Sequence, residues 1–458
     1  MKQKTVSILL ALALCLSLLP TAALAEEIPE NTIPASESAQ KPGADEAVEA
    51  VRSAIDALPS AEDWADLTAE EQEAAAEDAS SAYEAYEELT EEQQTALSGE
   101  LEKLIALFDE INSEVAPLSI KIGGTENSPC VVSTAAEWKN LFGNYRYLQN
   151  TYIILTNDID LSGQKWNANS LQNSTFDGQG HCIKNAGQPL FSSLSGSTVK
   201  NLAIVGADIT GSSTAGAGIL ANFATGTNTI ANCYINGSVK FQCNNGNYGV
   251  GGMLGAVESG ASVTIENCAI DATVENTGTG SDARGAGGFV GIVKGSNVLT
   301  ISNCYASGSV ITGSKFAGGL VGAAPYTDRI ITIKNSVALQ SEVSNFINKY
   351  CEGRIVSSAD YFKTDYLTNN YAYTDMKGAM QKQTGEKYTD GGKNGTDVSK
   401  ADCTKATFWK DTMGFRGDVW TIEDGKLPRL TNLSAMTGNP PTYLLDAENC
   451  PVGLGEDN

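Results

Sequence analysis

Histidine is almost missing from this chain: one residue in 458, His181. No two of its ten cysteines form a CxxC pair. Without paired imidazoles or paired thiolates, the common zinc-binding sets cannot be assembled, so no metal is expected. Basic residues are also scarce, with 30 Lys and Arg against 55 Asp and Glu and a net charge of −25. Nucleic acids and anionic lipids reward basic patches, so neither is expected as a partner. Beyond the first twenty residues there is no long apolar run, and the mature chain is not expected to be an integral membrane protein. No cofactor is expected either.

What is present falls into contrasting segments. Lys2 and Lys4 precede an apolar run over 6–19 and an Ala-Leu-Ala ending at Ala25, the pattern of a cleaved secretory signal over 1–25. A secreted or cell-surface location follows from it. Residues 26–42 hold Pro29, Pro34 and Pro42 and read as a linker. Residues 26–116 carry 26 acidic and 3 basic side chains, while 117–458 carry 29 and 25, so the acidity belongs to one N-terminal segment. Within it, residues 43–114 predict an acidic three-helix bundle. Val48, Val51, Ile55 and Leu58 recur at helical spacing. Thr68 with Glu71 and Thr90 with Gln93 form capping boxes. Leu97, Leu101, Leu104, Phe108 and Ile111 give a last apolar stripe.

After residue 117, Gly, Asn, Ser, Thr, Val and Ile take over, and short alternating runs predict strands. One word recurs nearly unchanged: VTIENCAIDATV at 263–274, LTISNCYASGSV at 299–310 and NTIANCYINGSV at 228–239, with looser copies at 199–209 and 331–343. Its asparagine falls at Asn201, Asn232, Asn267, Asn303 and Asn335, in steps of 31, 35, 36 and 32. A period of that size indicates stacked units. The fold expected is mainly β: a right-handed parallel β-helix, or β-solenoid, beside the small N-terminal helical bundle. In such a stack Ile265, Ile301 and Ile333 become an inward column. The five asparagines become a ladder at a tight bend, where Asn tolerates left-handed φ. Cys233, Cys268 and Cys304 become a column of buried thiols, which removes three of the nine cysteines left after signal cleavage from any disulfide count.

Each word is preceded by a glycine block: GGMLG at 251–255, GGFVG at 287–291, GGLVG at 318–322 and AGILA at 217–221. These blocks resemble the GLUG motif of secreted and surface proteins of Gram-positive bacteria, many of them gut commensals. The resemblance extends over roughly residues 119–432. Thr134-Ala135-Ala136-Glu137-Trp138 resembles that family's opening helix, YIILTNDIDL at 152–161 its first strand, and WTIEDGKLPRL at 420–430 its closing cap. It implies a parallel β-helix over 119–375, a C-terminal β-helix cap over 376–432 and a flexible tail over 433–458. The family shares no established catalytic set, and none is carried over.

Candidate sites are few. Alternation places Tyr234 and Tyr305 opposite the cysteines, facing outward as a binding platform for sugar or protein, or as cover for a neighbouring coil. Asp158, Asp160 and Ser162 begin like a calcium loop, but position twelve is Asn169 and a turn is the better reading. His181 has no evident acid–base partner and reads as structural. Arg416-Gly417-Asp418 spells an integrin tripeptide, inside the cap where a strand would hide it. Hydrolysis of a glycan would need paired carboxylates, yet Asp271 and Glu266 stand alone in their columns. The expected function is therefore a non-catalytic, secreted or surface adhesion protein that presents a β-helix face to carbohydrate or a surface protein. A β-helix polysaccharide lyase or glycoside hydrolase, and a structural stalk, are the alternatives. The chain shows no wall-sorting signal, so covalent wall attachment is not expected.

Overall fold

A computed structural model describes residues 44–107 and 124–445 apart from short stretches, the longest being 358–365 and 379–391. The signal segment, the linker, Phe108, Ile111, Cys351 and Cys450 lie outside the described residues. The chain divides into two compact units, 1–119 and 120–458.

The first unit is helical. Helices Ala44–Asp56 and Ala69–Glu87 flank a short 3-10 turn at Ala61–Asp66. Further helical residues occur between 99 and 107. Val51, Ile55, Trp64, Ala79, Leu97, Leu104 and Leu107 form its core. Both capping boxes are made: Glu71 accepts from the Thr68 amide at 2.8 Å, and Gln93 from the Thr90 amide at 3.0 Å. Each satisfies an amide that the first helical turn leaves unpaired. Arg52 bridges to Glu100 (2.7 Å) across the unit.

The second unit is a parallel β-solenoid of about five turns. Four stacked sheets of nine, eleven, five and seven strands make its walls. The repeated word spans two of them. Its first half is the strand Thr227–Ala231, Ser262–Glu266, Val298–Ser302 or Ile330–Lys334, paired in parallel with its neighbours. Its second half is Tyr234–Cys243, Ala269–Asn276 or Tyr305–Thr312 in the next wall. Ile230, Ile265, Ile301 and Ile333 stand in register and are fully buried. Strand neighbours about 4.8 Å apart make such a column a continuous apolar spine.

The asparagine is the corner between the two walls. Asn201, Asn232, Asn267, Asn303, Asn335 and Asn369 all have φ between 49° and 54°, the left-handed region. Asn costs less there than other side-chain-bearing residues. The side chains run from coil to coil: Asn232 Nδ2 donates to Asn201 Oδ1 (3.2 Å), Asn335 to Asn303 (3.2 Å) and Asn369 to Asn335 (2.9 Å). The ladder breaks at Asn267; Asn232 Oδ1 is buried without a hydrogen bond. One step along, Cys233, Cys268 and Cys304 are 3%, 0% and 0% exposed, and Ser336 and Asn370 continue their column. Each thiol donates to a carbonyl two residues back, at 3.1–3.3 Å. The glycine blocks form another corner, where a Cβ on Gly288 would overlap the Gly319 carbonyl oxygen of the next coil.

A helix over Ala135–Asn144 closes the first coil, with its own capping box between Thr134 and Glu137. Its Trp138 and Phe142 pack with Phe176 and Phe191, which fills the open end of the core. At the far end Arg354 is 2% exposed and donates to the carbonyls of Asn394, Tyr373 and Gly395, with Asp397 at 2.8 Å.

Residues 400–445 depart from the expectation of an end cap and a flexible tail. They run along the flank of the solenoid as a strap. Phe408 packs on Tyr371 and Trp409 on Tyr305. Asn432 reaches back to Asn201 at 3.1 Å. Leu433, Met436 and Leu444 are buried, so the part of the predicted tail that is described is docked. The physical reason is the outer face of the eleven-stranded sheet. Its column Cys182, Ala203, Ala269, Tyr305 and Val337 is apolar, and the strap covers it.

Candidate functional site

Tyr234, Ala269 and Tyr305 stand in register on adjacent coils of the eleven-stranded sheet. Two residues along each strand, the same coils carry Asn236, Asp271 and Ser307. Both positions differ in chemistry between copies of the word, as does the Ala231, Glu266 and Ser302 position on the neighbouring wall. Alternation sends both rows to the outer side, toward the strap. The strap touches the first row and arches over the second. What remains between sheet and strap is a cleft of about 310 Å³, floored by Tyr234, Asn236, Asp271, Tyr305 and Ser307 and walled by Leu427, Met436 and residues 437–439.

The polar row is tied together. Ser307 Oγ donates to Asp271 Oδ1 at 2.8 Å, and Asn236 Nδ2 donates to Asp271 Oδ2 at 3.3 Å. Both hold the carboxylate in one orientation. A carboxylate has about four acceptor positions, so these bonds leave capacity for a ligand. Among the described residues, Asp271 is the one acidic side chain of the lining. On the rim, Lys426 Nζ bonds to Asn439 Oδ1.

The two tyrosines behave differently. Tyr305 is 3% exposed, and its hydroxyl donates to the Pro428 carbonyl at 2.6 Å. Its ring lies between Trp409 and Trp420, with centroids at 5.3 and 6.0 Å. The expected exposed platform is therefore corrected at Tyr305, which anchors the strap. Tyr234 is half-buried beside the cleft, and among the described residues its hydroxyl has no hydrogen-bond partner. Burial, and after it the Asp271 charge, push its phenol well above the usual range, so it remains a donor.

The other candidates are placed as follows. His181 has a partner after all: its Nδ1 lies 3.6 Å from Asp158 Oδ1. That carboxylate also holds Lys184 Nζ (2.9 Å) and the Cys182 amide (3.0 Å). Neither His181 nor Asp158 lines the cleft. Asp160 accepts from the Ser162 amide and hydroxyl and from Asn185, which lowers its pKa to about 2; it closes a turn. Arg416-Gly417-Asp418 is on an exposed turn, contrary to the expectation of a hidden strand, and the Arg and Asp pair with each other. Among the described residues no group of three His, Cys, Asp or Glu side chains could hold a metal ion. No described helix is long and apolar enough to cross a membrane.

Sequence reasoning missed Asn236, Ser307 and residues 437–439. Comparing the copies column by column would have flagged the Asn–Asp–Ser row. Nothing local signals that residues 427–439 fold back onto it, since the Tyr305–Pro428 bond spans 123 residues.

No family model matches the chain, and no curated protein gives a significant match. Among solved structures it is similar to a Bacteroides ovatus protein described as a "putative immunoglobulin A1 protease". The TM-score is 0.54 at 24% identity, over 68% of this chain and 95% of that one. At that identity the likeness shows the β-solenoid fold alone. A second structure, described as an "IgA1 Protease", aligns with a TM-score of 0.40 at 20% identity, over 58% of this chain but 21% of that one; it carries no argument.

Proposed function

We propose that this chain is an exported, surface-presented binding protein of the GLUG-repeat kind, in which the solenoid is a rigid arm and the sheet–strap cleft is the binding site. The acidic helical unit serves as a solvated spacer. One observation carries the reading: the row Asn236–Asp271–Ser307 departs from the repeat, is pre-organised by its own hydrogen bonds, and floors a cleft. Everything the copies share, namely the Ile spine, the Asn corner, the Cys column and the glycine blocks, is accounted for by folding.

The cleft chemistry favours binding over hydrolysis. Glycoside cleavage uses two carboxylates about 5–10 Å apart, and Asp271 is alone in the lining. A protease of the kind its structural neighbours are described as would need a nucleophile with an oriented base, or a metal with its ligands. The chain's one histidine is outside the cleft and its carboxylate partner is committed to Lys184 and a backbone amide. The test is a glycan-array and surface-protein binding screen with the mature protein, beside assays for reducing-sugar release and for cleavage of immunoglobulin A1. Binding without turnover is expected. Turnover abolished by Asp271→Asn or His181→Ala would replace this reading with an enzymatic one.

A further inference from the structure

We propose that the cleft binds a neutral sugar residue, with its hydroxyls on Asp271 and Asn236 and one ring face against Tyr234. The proposal rests on the binding reading above and names its ligand. Three features select the chemistry. First, the lining mixes donors and acceptors. Asp271 offers acceptor positions, while the unpartnered Tyr234 hydroxyl offers a donor. A sugar hydroxyl both donates and accepts, so it can use both. An ammonium group only donates, so it could use the carboxylate and the phenol oxygen but would leave the Tyr234 O–H proton without an acceptor. Second, the charge is of one sign. A carboxylate in the floor disfavours sialic and uronic acids by like-charge repulsion. No cation is in the described lining, and Lys426 beside it is held by Asn439. Third, the shape is right for a small amphipathic ring. About 310 Å³ lies at the lower end of ligand-pocket volumes, roughly 300–1,000 Å³. Leu427 and Met436 supply apolar wall, and Tyr234 supplies an aromatic surface of the kind on which the C–H face of a pyranose rests.

The cleft is also pre-organised, which limits the ordering cost of binding. The strap is fixed by Trp409 and Trp420 around Tyr305 and by Tyr443, whose hydroxyl accepts from the Gly308 amide (3.0 Å) and donates to the Leu339 carbonyl (2.8 Å).

The experiment uses the mature full-length protein and an array of oligosaccharides ending in galactose, N-acetylgalactosamine, glucose, N-acetylglucosamine or mannose. Sialylated and uronic-acid glycans and a lysine-rich peptide complete the panel. Hits are titrated by calorimetry against wild type, Asp271→Asn, Tyr234→Ala and Tyr234→Phe. Asp271→Asn keeps shape and removes charge, and Tyr234→Phe keeps the ring, so both remain folded even if Tyr234→Ala loosens the strap; thermal melts check this. The expected result is binding of neutral termini that falls at least tenfold in Asp271→Asn and several-fold in Tyr234→Phe. Neutral-glycan binding that survives all three substitutions would overturn the cleft and leave the general binding reading standing. Binding confined to acidic glycans or to the peptide would overturn the ligand class. Binding to nothing would overturn both readings.

Discussion

The asparagine ladder permits a comparison within one motif. Asn267 and Asn303 occupy the same corner, with φ of 51° and 53°, and both amides bond to the next coil at 3.1 and 3.2 Å. They differ in side-chain partners. Asn303 Oδ1 accepts from Asn335 Nδ2 at 3.2 Å, whereas among the described residues no such bond joins Asn267 to either neighbour. Replacing either by glycine keeps the left-handed corner and adds the same unfolded-chain entropy, about 0.4–1 kcal/mol. Only Asn303→Gly also loses an amide bond, worth about 0.5–1.5 kcal/mol. Asn303→Gly should therefore be less stable than Asn267→Gly by about 1 kcal/mol. Alanine separates out the corner. A Cβ in the left-handed region costs about 1–2 kcal/mol. Its stiffer unfolded chain offsets about 0.4–1 kcal/mol of that, so Asn303→Ala should fall below Asn303→Gly by about 0.5–1 kcal/mol. The assay is urea unfolding followed by circular dichroism, with the three variants and wild type compared at equal m. Equal midpoints for the two glycine variants would refute the ladder as a source of stability. An alanine variant as stable as its glycine counterpart would refute the argument from the left-handed corner.

Tyr305→Phe leaves the Pro428 carbonyl without its 2.6 Å donor and should cost about 1–2 kcal/mol, seen as faster proteolysis within residues 400–445 while the solenoid stays intact. Burial, the largest cause in each case, raises the thiol of Cys130 to about 11 and those of Cys182 and Cys403 to about 12, and pushes Cys233 and Cys268 well above the usual value. Peptide mapping after alkylation at pH 8 should find these five unmodified in the native protein and modified after denaturation; native labelling would contradict their placement. Asp160 is held to about 2 by Ser162 and Asn185, below its ordinary 3.8. A lowered carboxylate stabilises the fold fully above the unfolded value and loses that contribution as pH falls through the folded one. Acid unfolding between about pH 4 and 2 should accordingly be shallower in Asp160→Asn, and an unchanged acid limb would argue against the turn.

The scaffold was legible because its cause is local and repeated. Asn at a corner, a thiol behind it and Thr-Ile ahead of it each answer to one backbone position, and the stack copies that position coil after coil. The count of coils and the inward column could be read from spacing alone. The site was legible only in part. Tyr234 could be placed on the outer face by alternation, but so could Tyr305, and Tyr234 is half-buried beside the cleft while Tyr305 is buried. What separates them is the strap, and its docking depends on contacts between residues more than a hundred positions apart, such as Tyr443 with Gly308 and Leu339. The carboxylate beside His181 was missed for a similar reason: Asp158 lies 23 residues earlier, on the preceding coil.

The strap also changes how the solenoid should unfold. In a bare repeat stack each coil touches only its neighbours, so stability is a sum of local terms and the ends fray. Here one segment ties coils that are not neighbours. Asn369 Nδ2 bonds to the Thr412 carbonyl, Tyr305 to Pro428, and Asn432 to Asn201. From Asn201 to Asn369 is five steps of the ladder, roughly 24 Å at about 4.8 Å per step. Fraying any coil in that span must first release the strap, which couples the coils into a larger cooperative unit. The same coupling fixes the distance between sheet and strap, and so the width of the cleft. Stability of the solenoid and the width of the cleft thus depend on the same strap contacts, those at Asn201, Tyr305 and Asn369.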